Sequence, residues 1–328
     1  MLLKEPITPS LCHAIFSNVR ALFLLQRSFT LLYREYEVPA KAGEKKGSLI
    51  YIGEGESLGY IEALYFNGLK RKSSDRLSLP DFRRKIKSLA KTDSLIFIEV
   101  NRLLNFIIPQ TFFLTFPWIR QRTFLEGRDY LQRKSKISST FGRKVRKYGY
   151  SFRITRDGDA LAMFYREFYL PYITNRFHEL CSPRSFKEFR SAVRSGFLLQ
   201  VFHGEKWVSG AICQVRGKSV TVLAFGVHGQ YFHLLKHGVL SSVYYFVFHW
   251  AEETGVETVD LLRSRANAAD GVYEHKRRWG ALAERDPWPH TAIWLSVPDS
   301  AMIPSLLGRQ FIWHGHQFVQ LNSLRICR

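Results

Sequence analysis

Cysteine is scarce in this 328-residue chain: Cys12, Cys181, Cys213 and Cys327 lie far apart, with no C-x-x-C pair among them. Such spacing excludes a disulfide framework or a cysteine-built metal site as the organising device. The four are expected to be reduced thiols packed as small hydrophobes. Acidic residues are also few, 28 against 48 Lys plus Arg, which leaves a net charge of +20. An excess of that size speaks about partners rather than fold, and it admits nucleic acid, an anionic membrane surface or phosphate-bearing substrates. Long apolar runs are lacking too. The stretch from Ala14 to Leu25 is short and split by Arg20, and the one from Leu103 to Ile119 contains Asn105, Pro109, Gln110 and Pro117. Neither suits a bilayer span; the second reads as a helix, a turn and a short buried strand. Glu5 and Pro6 interrupt the N-terminus with no cleavage site after an apolar core, so no signal peptide is expected. The expectation is a cytoplasmic protein without a transmembrane segment, able to associate peripherally with an anionic membrane. There is no repeat or low-complexity tract, and no G-x-S-x-G or Cys–His pairing that points to hydrolysis.

What is present is a globular composition, 46% hydrophobic and 23% charged, long enough for one large domain or two ordinary ones. In the first half, Ser48–Ile52 reads as a strand. Pro80–Lys91 reads as a helix with Phe82, Ile86 and Leu89 on one face, and Ser94–Val100 as a buried strand. Between Gln132 and Lys147 seven basic residues (Arg133, Lys134, Lys136, Arg143, Lys144, Arg146, Lys147) occur with no acid. A helix capped by Ser138 or Ser139 and ended by Gly149 would turn Phe141, Val145 and Tyr148 inward and its cations outward. The domain seam is placed here.

The second half continues with a strand over Tyr150–Thr155 and a helix over Asp159–Tyr172. A further helix is opened by Ser182-Pro183 and closed by Gly196. Strands over Phe197–His203, Val208–Arg216 and Ser219–Gly226, with turns at Gly204 and Gly217, form an antiparallel meander. A long helix from about His233 to Thr254 is apolar nearly all round and therefore buried. After it come a strand over Val256–Leu261, a helix capped by Asp270 running through Trp279, and a last strand over His290–Val297.

The segment VDLLRSRANAADGVYEHKRRWGA (259–281) closes a strand on an Asp, passes through a loop to a Gly and an aromatic, and ends in Lys-x-x-aromatic-Gly. It resembles the C-terminal signature of the Fem-like peptidyltransferases. SSTFGRKVRKYGY (138–150) is similar to the basic helix that opens the second module of that family. The order meander, buried helix, strand, helix, strand is that of the GNAT acyltransferase core, so the resemblance covers roughly the last 190 residues. It implies an α/β (α+β) fold with a mixed, mostly antiparallel central sheet flanked by helices. Two GNAT-like modules in tandem are expected, a degenerate one over 1–135 and a transferase module over 136–328. It also implies transfer of an acyl or aminoacyl group from acyl-CoA (acetyl-CoA) or aminoacyl-tRNA to an amine or hydroxyl of a cell-envelope, glycan or peptide acceptor. An anionic donor and tRNA are the implied partners. The sequence departs from the Gly-rich turn with which CoA-binding relatives hold pyrophosphate: GVHGQYFHLLKHGVLSS (226–242) has glycines only at 226, 229 and 238. Lys236, His237 and Gly238 are the candidates for a partial version of it at a helix N-terminus.

Residue chemistry adds roles. Acyl transfer passes through an oxyanion that a fixed donor stabilises by roughly 3–4 kcal/mol. Lys276 is the candidate for that work or for a substrate phosphate, with Tyr273 and Trp279 three residues to either side. Asp260, at the end of a strand, could orient Lys276 or accept the proton of the nucleophile. Arg263 and Arg265 suit bidentate contact with phosphate or carboxylate, and Arg143 and Arg146 would widen the same anionic site. Each has a second reading: a solvated helix face for Lys276, Arg277 and Arg278, a turn cap for Asp260, a solvated cationic face for 143–147, and core packing for Tyr273 and Trp279. His233 with His237, or His314 with His316, lack a third ligand, so no metal is expected. The alternative function is a non-catalytic GNAT-like module that binds nucleic acid or an anionic membrane surface.

Overall fold

The computed structural model describes residues 30–38, 47–66, 69–92, 94–125, 127, 129–133, 137–177, 183–286, 290–297, 308–321 and 323. Cys12, Cys181, Cys327, Lys134, Lys136, Ser182 and the stretch from Ala14 to Leu25 lie outside them. Two units divide the chain, one of residues 1–120, 263–274 and 283–328, the other of residues 121–262 and 275–282.

The first unit holds a six-stranded sheet of Thr30–Val38 (β1), Gly47–Gly53 (β2), Lys70–Ser78 (β3), Leu95–Asn101 (β4), Phe113–Thr115 (β5) and Thr291–Ser296 (β13), in the order β3-β1-β2-β4-β13-β5. β1 and β2 form an antiparallel hairpin, whereas β2 and β4 pair in parallel from Leu49↔Leu95 to Gly53↔Glu99. β4 is buried along its whole length, as its unbroken apolar run predicts for a strand covered on both faces. β3 is the opposite case. Its sequence KRKSSDRLS is almost wholly exposed and carries no apolar alternation, because it lies at the sheet edge, where cations protect unpaired backbone from mispairing. Leu79–Leu89 (α1) is capped by Ser78, has Pro in its first turn, and buries Phe82, Ile86 and Leu89 as expected. The oily segment gives a 3-10 helix over Arg102–Ile107 and then β5. Deep in this core the fully buried Glu99 accepts from Ser57 N (2.9 Å) and Tyr51 Oη (2.5 Å), and burial raises the pKa of its carboxyl.

Most of a seven-stranded sheet lies in the second unit. Its strands are Trp118–Phe124 (β6), Tyr150–Thr155 (β7), Gly196–His203 (β8), Lys206–Arg216 (β9), Ser219–Val227 (β10), Thr258–Arg265 (β11) and Leu282–Arg285 (β12), in the order β12-β6-β11-β10-β9-β8-β7. The predicted meander is β8–β10, with both turn glycines at positive φ. Arg143–Lys147 (α2) follows a wide turn over Ser138–Gly142, buries Phe141 and Val145, and ends at Gly149. The helix from Gly158 to Phe177 (α3) starts on Asp157 and includes a wide turn over Phe164–Tyr169 that sets Phe164 and Phe168 into the core. The helix expected to open at Ser182-Pro183 instead spans Phe186–Arg194 (α4). There Ser185 and Glu188 satisfy each other's backbone N–H in a capping box, which fixes the start three residues later. The long buried helix is Val239–Glu253 (α5), six residues shorter at its start than expected. Gly238 stands at φ +87°, which no continuous helix allows, and Gly229–Leu235 forms a separate 3-10 segment. Both sheets are mixed, mostly antiparallel and flanked by helices, in keeping with the expected α/β class. Among the described residues no helix is long and apolar enough to cross a membrane.

Candidate functional site

The parallel pair at the centre of the second sheet is short. β10 and β11 are bonded only over Ser219↔Thr258, Val220↔Val259 and Thr221↔Asp260, although each strand continues for several residues more. Just beyond the last pair β10 carries a register shift against β9 between Val222 and Ala224. β11 turns sharply there as well: Leu262 adopts φ +60°, and the carboxylate of Asp260 accepts its backbone N–H at 2.8 Å. A left-handed conformation is costly for an L-residue, so Asp260, almost fully buried, holds the kink as a side-chain turn cap. The consequence is a gap in the hydrogen-bond ladder between β10 and β11 after Thr221↔Asp260.

The basic helix and the turn ahead of α5 come together in this unit. The side chain of Lys144 lies against Gly238, and a Cβ on that glycine would stand 2.9 Å from Lys144 Cδ. His237 stacks on Tyr148, with centroids 4.8 Å apart. Arg143 and Arg146 are exposed on the same short helix, and Lys236 is exposed beside His237. Lys144 and Lys236 thus stand beside the start of a 15-residue helix, whose first N–H groups and dipole favour an anion.

Lys276 lies in the last turn of Gly271–Arg277 (α6) and is almost fully buried, at 4% exposure. Its backbone explains the Lys-x-x-aromatic-Gly pattern. Ala281 N donates to Lys276 O (3.3 Å) and Gly280 N to Arg277 O (2.9 Å), with Gly280 at φ +75°. This is a Schellman closure, which needs a residue tolerant of left-handed φ one position after the aromatic. The aromatic, Trp279, is fully buried and stacks on Phe141 (4.4 Å), Phe248 (5.3 Å) and Tyr244 (5.6 Å). The remaining residue of this turn, His275, was assigned no role from sequence. Its ring meets Tyr244 edge-on at 4.8 Å, its Nε2 is buried without a hydrogen-bond partner, and burial followed by the charges of Arg176, Arg278 and Lys276 lowers its pKa to about 4.

Arg263, Arg265 and Tyr273 belong to the other unit. Arg263 pairs with the buried carboxylate of Asp286. The guanidinium of Arg265 is stacked between Trp118 (3.7 Å) and Tyr60 (4.1 Å), and desolvation lowers its pKa. Tyr273 packs edge-on against Phe311 at 5.0 Å, and its N–H is accepted by the predicted cap Asp270 at 2.8 Å.

The second unit also has a cleft of about 350 Å³ at the end of α3, lined by Tyr172, Asn175, Arg176, Phe232 and Leu235. Sequence reading passed over it; its signal was Tyr172 and Arg176 at helical spacing, the guanidinium donating to the phenol oxygen. Among the described residues no group of three or more His, Cys, Asp or Glu could hold a metal ion.

No known protein family matches the sequence, and no curated protein does. Among solved structures the chain is similar to FemX, with 14% identity over 93% of this chain and 99% of that one and a TM-score of 0.40. It is also similar to L-PGS from Bacillus licheniformis, with 9% identity over 93% and 97% and a TM-score of 0.37. The ribosomal-protein-S18-alanine N-acetyltransferase from Escherichia coli matches 46% of this chain and 94% of its own, with 20% identity and a TM-score of 0.31. This is a distant likeness to GNAT and Fem-type proteins, too loose to carry an argument about chemistry.

Proposed function

We propose that this chain is an acyl- or aminoacyl-transferase whose reacting centre lies in the second unit, and that it is built as two GNAT-like modules in tandem. The observation that carries the reading is the gap between β10 and β11. A parallel pair that parts after three residues leaves backbone N–H and C=O groups to bind an extended, amide-bearing donor, and fixed N–H donors at such a place stabilise an oxyanion. The phosphates of the donor, acyl-CoA or aminoacyl-tRNA, would meet the start of α5 with Lys236, His237, Gly238 and Lys144, and Arg143 and Arg146 would extend the cationic surface. Lys276 is the proposed partner of the oxyanion, and Asp260 holds the kink that opens the gap. The acceptor is an amine or hydroxyl of a cell-envelope, glycan or peptide substrate.

Thermal shift with CoA, acetyl-CoA and charged tRNA tests the donor, because a ligand specific for the folded state raises its melting temperature. Stabilisation by one of these that is lost in Lys236→Ala supports the reading; no stabilisation by any of them sinks it. For the reaction, Lys276→Ala should lower turnover roughly 100- to 1,000-fold while donor binding persists. The charge of +20 favours a second reading, a binder of polyanions or anionic membranes without catalysis. It predicts affinity for nucleic acid that falls steeply with salt, unchanged in Lys276→Ala.

A further inference from the structure

The cleft at the end of α3 has a composition that the proposed donor site does not use. Tyr172, Phe232 and Leu235 make most of its wall apolar, and the polar contribution is an amide and a guanidinium on successive residues, Asn175 and Arg176. The Tyr172 ring meets Phe232 edge-on at 6.5 Å, while its oxygen accepts from Arg176 and thereby orients the guanidinium. Leu235 is 41% exposed, so apolar surface stands uncovered beside the cation.

We infer that this cleft binds an anionic amphiphile, with a carboxylate or phosphate on Arg176 and Asn175 and an apolar chain or ring against Tyr172, Phe232 and Leu235. The lining narrows the alternatives. A cationic ligand would meet Arg176, which among the described residues is the charged group of the wall, and be repelled. A polyanion would find a single counter-charge there, whereas one planar acid matches the paired N–H groups of a guanidinium. A wholly apolar ligand would gain only the hydrophobic part of the wall, since it cannot accept from Arg176 or Asn175.

The molecule contains its own reporter of this event. Arg176 is one of three cations, with Lys276 and Arg278, whose charge acts on His275, and Tyr244, whose ring meets that imidazole edge-on at 4.8 Å, feels the charge of Arg176 as well. An anion seated on Arg176 cancels part of that field, so the His275 imidazole gains a proton more readily when the cleft is filled. As the acceptor of the transfer, the amphiphile rests on the function proposed above; its binding does not.

The test uses the full chain, decanoate as probe, calorimetric titration, and NMR of the histidine rings with His275 assigned through His275→Gln. Decanoate should bind and move the His275 titration upward, and inorganic phosphate and decanol should each bind at least roughly tenfold more weakly. Decyl phosphate should compete with decanoate, and comparing their affinities tells whether a carboxylate or a phosphate head is preferred. Arg176→Gln should weaken decanoate roughly tenfold or more, Arg176→Lys less, and Leu235→Ser a few-fold. All three lie at exposed positions and should leave folding intact. Equal affinity for decanoate and decanol, an unaltered affinity in Arg176→Gln, or a His275 titration that ignores decanoate would each overturn the inference. Loss of donor binding in Lys236→Ala with decanoate binding kept would confirm that the two sites are separate. Decanoate binding with no response to any donor would strike the function and spare the cleft.

Discussion

Replacing Gly280 by alanine should loosen the turn that seats Lys276. Gly280 stands at φ +75°, where an L-residue loses roughly 1–2 kcal/mol. The added Cβ would fall 2.0 Å from Tyr130 Oη and 3.3 Å from its Cζ. Tyr130 is itself buried, stacked on Phe248 at 5.8 Å, and cannot swing aside cheaply. Its hydroxyl donates to Trp279 O at 2.9 Å, a bond that the displacement breaks at about 1 kcal/mol, although Thr123 continues to donate to the same oxygen. The expected loss is therefore about 2–3 kcal/mol. Tyr130→Phe removes the obstructing oxygen and alone should cost about 1 kcal/mol. In the double variant the collision is gone and only the backbone strain remains, so the two losses should fall short of additive by about 1 kcal/mol or more. Urea unfolding of the four proteins, followed by tryptophan fluorescence, measures this cycle. A Gly280→Ala loss below about 0.5 kcal/mol, or strictly additive losses, would refute both the left-handed assignment and the Tyr130 contact.

Three further outcomes are expected. Ser185→Ala removes the capping box of α4 and should cost about 1 kcal/mol, read as a lower urea midpoint with an unchanged slope. His275 is held near pKa 4 against an ordinary 6.5, so the unfolded chain takes up its proton first; its contribution to stability is whole above pH 6.5 and is lost as pH falls towards 4. In His275→Gln the acid slope of stability over that window should flatten, as seen in urea midpoints measured against pH. Cys213 is fully buried, and desolvation pushes its thiol far up. Peptide mapping after alkylation should find Cys213 unmodified in the native protein and modified only after denaturation.

Local chemistry made much of the second unit legible in advance. The meander over 196–227 is announced by apolar runs separated at Gly204 and Gly217, since strand pairing between sequence neighbours needs only a turn and a pattern. The same holds for Pro80 in the first turn of α1 and for Gly149 after α2. Where reading by residue type slipped, a stronger local signal competed: Ser185 with Glu188 outranked Ser182-Pro183, and Gly238 cut a stretch whose apolar periodicity ran through it. β3 escaped altogether, because an exposed polar edge strand has no apolar face to betray it. Of the candidate site, the motif residues could be named, and the Gly after Trp279 has its reason in the Schellman turn.

By itself, the sequence determined the meander over 196–227, the helix over 79–89, the excess of cations and the Lys-x-x-aromatic-Gly turn, all of which depend on neighbours within a few residues. Tertiary structure alone decided that β10 and β11 part after three pairs, that Thr291–Ser296 enters a sheet with β4, and that Arg265 stacks on Trp118. It also put Tyr172, Phe232 and Leu235 around one guanidinium. These arrangements join residues tens to hundreds of positions apart. Their geometry is set by how whole elements pack, a quantity that no window of sequence contains.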